Sequence, residues 1–155
     1  MRASRHAEWR CGRSRWLAPT LSFFLMQQQS AKMIPQNRPL TDDEGALLQW
    51  LLDHSTATTA EKAQLPFVSV VGRCPCGCPS IHLAVSGKVA RPGSSSAIIA
   101  DICGTTPEGV FVGVMLHIRD GLLSELEAYP LGQTETFSFP RPEALEPMGR
   151  SDEKA

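Results

Sequence analysis

The chain has 155 residues, 42% of them hydrophobic, with 15 basic and 16 acidic side chains. That length fits one ordinary domain and is short for two. The near-neutral sum conceals an asymmetry: residues 1–38 hold seven basic groups against Glu8 alone, a net of +6, and the other 117 hold 8 basic and 15 acidic, a net of −7. An acidic body speaks against nucleic-acid partners, whose backbone is held by clustered Lys and Arg. A chain of this size buries about two-thirds of the surface its unfolded form exposes, so neither metal nor disulfide is required for folding.

The Arg-rich residues 2–15 precede an apolar run from Trp16 to Met26, broken by Pro19, Thr20 and Ser22, in the manner of a signal peptide's charged and apolar regions. Residues 27–32 offer no small-x-small cleavage site. The run also falls short of the ~20 residues that span a bilayer, so no membrane partner is expected. Residues 1–38 are therefore read as a basic N-terminal extension, disordered or lying upstream of a true start at Met33 or Met26. A targeting segment and a structural element are the alternatives. Regular patterning begins at Pro39-Leu40-Thr41.

Thr41-Asp42-Asp43-Glu44 predicts a capping box, with Thr41 and Glu44 satisfying each other's backbone donors and the early acids meeting the positive end of the helix dipole. The apolar face is Leu47, Leu48, Trp50, Leu51 and Leu52, and the helix ends near His54-Ser55-Thr56. Trp50 is read as a core residue. A weaker helical turn is expected at Ala60–Gln64, stopped by Leu65-Pro66.

From Phe67 the hydrophobic period changes. Phe67–Gly72, Ser80–Ser86 and Ser96–Cys103 are β-branched-rich runs between turn residues and predict strands, with residues 87–95 as a loop. In Gly109–Ile118 the row Val110, Val112, Val114, Leu116 and Ile118 alternates with Phe111, Gly113, Met115 and His117. Asp120-Gly121 is a hairpin pair suited to positive φ. The return strand, Leu122–Tyr129, places Leu122, Ser124, Leu126 and Ala128 on the core face and Glu125 and Glu127 on a solvated one. Phe137-Ser138-Phe139 is either an edge strand or an extended segment packed on the sheet. The expected fold is α+β: one N-terminal amphipathic helix packed on an antiparallel β-meander of four to five strands, a single domain over 39–146, with residues 147–155 as a disordered tail.

The unusual feature is Cys74-Pro75-Cys76-Gly77-Cys78-Pro79, three thiols within five residues at a strand-to-strand turn. Zinc takes four ligands in a tetrahedron, commonly thiolate and imidazole. Cys74, Cys76 and Cys78 are candidate ligands, His82 is a candidate fourth because it shares the parity of Cys78, and zinc is the cofactor they would suit. The spacing is not C-x2-C and no second pair stands elsewhere. The same thiols can instead pack as small, weakly polar hydrophobes, or form an easily reduced disulfide. Five cysteines without a disulfide framework fit a reducing, cytoplasmic setting.

Other combinations carry less. Cys103 and His117 would serve as nucleophile and base only if their strands paired favourably. His117 falls opposite the aliphatic row, where a partly exposed histidine is expected. Glu125 and Glu127 form a carboxylate pair only in the sense of sharing a strand face. No phosphate loop, dinucleotide fingerprint or zinc-protease helix is present.

Arg38-Pro39-Leu40-Thr41 with its Leu-rich helix, then Val71-Gly72-Arg73-Cys74-Pro75-Cys76-Gly77-Cys78-Pro79-Ser80-Ile81, then Val112-Gly113-Val114 through Arg119-Asp120-Gly121 to Leu126-Glu127-Ala128-Tyr129, resemble a family of small bacterial proteins without an established activity. The resemblance covers residues 38–145 and implies no particular reaction; an immunity-type role is an analogy it suggests. The functional expectation is accordingly a non-enzymatic binding or interaction domain with a protein partner. A zinc-binding domain through the cysteine cluster is the first alternative, and a thiol-dependent enzyme the second.

Overall fold

The computed structural model describes residues 33–133 and 136–146; the signal-like segment and the tail from 147 lie outside them. Helix α1, Asp42–Asp53, has the capping box its sequence predicts, with Thr41 Oγ1 accepting from the Glu44 N–H and Glu44 Oε2 accepting from the Thr41 N–H. Glu44 also receives a two-pronged hydrogen bond from Arg38, at 2.7 and 2.8 Å. A second capping box, Thr58 with Glu61, opens the one-turn helix α2, Thr59–Lys62, and a 3-10 turn follows at Leu65–Phe67.

Among the described residues seven strands form one antiparallel sheet: β1 Ile34–Pro39, β2 Val68–Arg73, β3 Ile81–Val85, β4 Ser96–Thr105, β5 Phe111–Arg119, β6 Leu122–Pro130 and β7 Leu145–Glu146. Their spatial order is β1-β2-β3-β6-β5-β4-β7. The expected α+β class holds, but the sheet far outweighs the two short helices, and the plain meander of four to five strands is corrected. Strands β1 to β3 and β4 to β6 are consecutive runs joined edge to edge, with β3 beside β6 through Ile81↔Leu126 and His82↔Glu125. Strands β3 to β6 thus have Greek-key order, which requires the long 86–95 connection between β3 and β4.

Strand β1 is a second correction. It lies within the segment assigned to the basic extension, because the sheet begins at Ile34 and not after residue 38. Two prolines and a register shift between Pro35 and Arg38 hide its strand character. Segment Phe137-Ser138-Phe139 forms no strand; its two phenylalanines pack on the core, and Ser138 is tied to Glu108 by Oγ and N–H at 2.8 and 3.2 Å.

Helix α1 covers one sheet face. Leu47, Leu48, Leu51 and Leu52 are fully buried against Val70, Leu83, Val112, Val114, Leu116 and Leu126. The alternation expected along β5 is therefore real from Val112 onward. Trp50 is only partly buried, stacked on His54 with ring centroids 3.9 Å apart. Asp120 and Gly121 take φ of 53° and 73°, the two positive values a tight hairpin needs. A bulge beside His117/Ile118 shifts the β6 register, so Leu123 is the buried leucine, while Leu122 packs only partly against the core and Ser124 is half-exposed.

Candidate metal centre

The 74–80 connection between β2 and β3 is closed by the Cys74 N–H donating to the Ser80 carbonyl at 3.1 Å. Within it Gly77 has φ of 90°, a left-handed conformation that folds Cys78 back toward Cys76, whose sulfur accepts the Cys78 N–H at 3.4 Å. Ser80 anchors the loop from below. Its buried Oγ accepts from the Ala128 N–H at 3.0 Å and donates to the Ala128 carbonyl at 3.2 Å, fixing the turn to β6. The Cys78 thiol donates to the same oxygen at 3.3 Å.

This frame gathers the three sulfurs expected from the sequence, with all Sγ atoms within 4.8 Å of one another and none in a disulfide. Cys74 Sγ and Cys76 Sγ are 2.8 Å apart. A tetrahedral zinc with 2.3 Å bonds separates its sulfurs by roughly 3.8 Å, so the Cys74–Cys76 pair would open by about 1 Å to accept the ion. Hydrogen bonds divide the protons unequally. The Cys74 thiol, donating to Cys76, is pushed up to about 11, with burial acting in the same direction. Cys76 receives hydrogen bonds from Cys74 and from Cys78 and is held below the usual thiol value. The hydrogen bonds thus ease proton loss at Cys76 and oppose it at Cys74, and a soft cation binds sulfurs only once their protons have left.

The sulfurs border a shallow basin of about 380 Å³ whose other wall is the outer face of the sheet. His82 lines it but stands outside the close sulfur group. Its Nε2 is 3.8 Å from Glu125 Oε1. That approach is longer than a hydrogen bond, so Glu125 lies beside the imidazole without fixing its orientation.

Two further assignments change. Cys103 pairs with Gly113, and His117 lies four residues along β5, about 13 Å away, so the strands do not bring that nucleophile and base together. His117 instead meets Glu127, Nε2 to Oε2 at 2.9 Å. The glutamate face is thus not simply solvated: Glu125 is the register partner of both His82 and His117. The His82 end of this row is not legible in the sequence because it depends on β3 lying next to β6, whereas the His117 contacts lie within the β5–β6 hairpin. No family model, curated protein or solved structure matches the chain.

Proposed function

We propose that the protein is a metal-binding domain that holds one thiophilic ion, zinc foremost, on Cys74, Cys76 and Cys78. The observation that carries this reading is the convergence of three reduced sulfurs on one short loop pinned to β6 by Ser80. Three thiolates complete three corners of a tetrahedron, and the fourth opens on the basin, to be filled by His82, by water or by a donor atom of a partner protein. The interaction role expected from the sequence becomes one use of that open corner. Nothing among the described residues supports the immunity-type role in particular. Such thiols persist reduced in the cytoplasm, which is the compartment the reading assigns.

Titration of metal-free protein with zinc, and with cobalt as a spectroscopic substitute, tests the site. One equivalent of cobalt is expected to give intense sulfur-to-metal charge-transfer absorption, lost in the C74S/C76S/C78S variant. Affinity weaker than about 10 µM for zinc would sink the proposal.

Thiol chemistry at Cys76 is a second reading, favoured by the hydrogen bonds that stabilise its thiolate. It predicts alkylation of Cys76 well ahead of Cys74 in metal-free protein. Uniformly slow labelling of both would remove it.

A further inference from the structure

A second cavity, of about 390 Å³, lies on the far side of Cys78, between β1, the first turn of α1 and the 138–142 segment. Among the described residues the chain has seven cationic side chains, Arg38, Lys62, Arg73, Lys88, Arg91, Arg119 and Arg141. Three of them, Arg38, Arg73 and Arg141, line this cavity. Such grouping is pronounced in a body of net negative charge.

The three are not equivalent. Arg38 is committed to Glu44, and Glu44 is itself committed to capping α1. Arg73 and Arg141 form no ion pair among the described residues, whereas the exposed Arg91 is matched by Asp120 at 3.0 Å and Lys62 by Asp53 at 4.0 Å. Asp43 is the remaining carboxylate on the wall, leaving the cavity with a net positive lining. Apart from Thr41 and Ser138 the rest of the wall is largely apolar, with Pro79, Phe139 and Pro140 prominent. Proline fixes the backbone before any ligand arrives, which lowers the ordering cost of binding.

We propose that this cavity is a binding site for a small organic anion, its phosphate or carboxylate end held by Arg73 and Arg141 and its apolar body against Phe139 and the prolines. Planar guanidinium groups suit both oxyanions because each offers two parallel N–H donors. The volume exceeds what an inorganic ion alone fills and matches a compact metabolite-sized ligand. The site stands apart from the metal reading. It shares only Cys78 as a wall, and none of its charged groups belongs to the sulfur cluster.

The experiment is calorimetric titration of the full chain at low ionic strength with inorganic phosphate, benzoate and benzylammonium in turn. Saturable binding of phosphate, benzoate or both is expected, with benzylammonium inert; the preferred anion identifies the phosphate or the carboxylate as the natural end group. The R73Q/R141Q variant alters two exposed side chains and keeps its fold by circular dichroism, yet its affinity for the bound anion should fall about tenfold or more. Absence of saturable binding for both anions up to about 10 mM, equal binding of benzylammonium, or an unchanged affinity in R73Q/R141Q would overturn the proposal.

Discussion

Two hairpin connections in the same sheet are built on opposite plans. Asp120-Gly121 joins β5 to β6 with two residues, both in the left-handed conformation, and nothing is left over. Residues 74–80 join β2 to β3, also antiparallel neighbours, with seven residues, three of them cysteine and two proline. Strand pairing demands only the first plan. The longer turn keeps thiols half-exposed or exposed and spends backbone and side-chain hydrogen bonds through Ser80 on holding them together. The difference teaches where strand pairing ends: the longer connection carries length beyond what the pairing needs, and its hydrogen bonds gather three sulfurs.

Substitutions can break this contrast. Leu116→Ala, at a fully buried position of β5, should cost about 3 kcal/mol in chemical denaturation while zinc stoichiometry stays at one. Cys76→Ser should do the reverse, weakening zinc by roughly 100-fold in competition with a chelator, since removing a ligand costs at least as much as removing its second-shell support, while the denaturation midpoint of the metal-free form hardly moves. The glycines sharpen the comparison. Gly121→Val should lower stability by about 1–2 kcal/mol because φ of 73° disfavours a β-branched residue. Gly77→Val, strained in the same way at φ of 90°, should lose zinc affinity in addition to stability, whereas Gly121→Val should leave zinc affinity unchanged. An unchanged zinc affinity in both would mean that the two turns play the same part.

The smallest expected effect concerns Glu44. Burial would raise its carboxyl, but the Arg38 fork and the Thr41 donors outweigh burial and hold it below the usual range. A depressed folded value stabilises the protein above the ordinary carboxylate pKa, and that contribution disappears as pH falls through the lower folded value. Thermal unfolding of Glu44→Gln should therefore lose about 1 kcal/mol relative to wild type near neutrality, and the two should converge in acid. Metal binding runs the same way with pH, at higher values. Cys74, pushed up to about 11, must release its proton, so zinc affinity should rise from pH 6 to pH 8.

What was legible in the sequence was whatever a local rule encodes. Thr41 with Glu44, the aliphatic row of β5 and the Asp120-Gly121 turn each announce themselves within a few residues. The cysteine trio was legible for the same reason. Non-local pairings were not. Strand β7 has two residues, and β1 carries two prolines, so neither shows a period. Leu123 and not Leu122 is the buried leucine because a bulge, not composition, sets the register of β6. Arg38, Arg73 and Arg141 are spread over more than a hundred positions and meet only once β1, β2 and the 138–142 segment are in place.

Strand β1 bounds one side of the sheet, with Pro35 and Pro39 in a six-residue stretch. An outermost ribbon normally offers a ladder of free amides to any extended chain that drifts past, and this is how sheets grow into fibres. Each proline deletes one rung, and the register shift between them bends the ladder away from straightness. Crowded copies of the molecule thus meet a broken template along this strand.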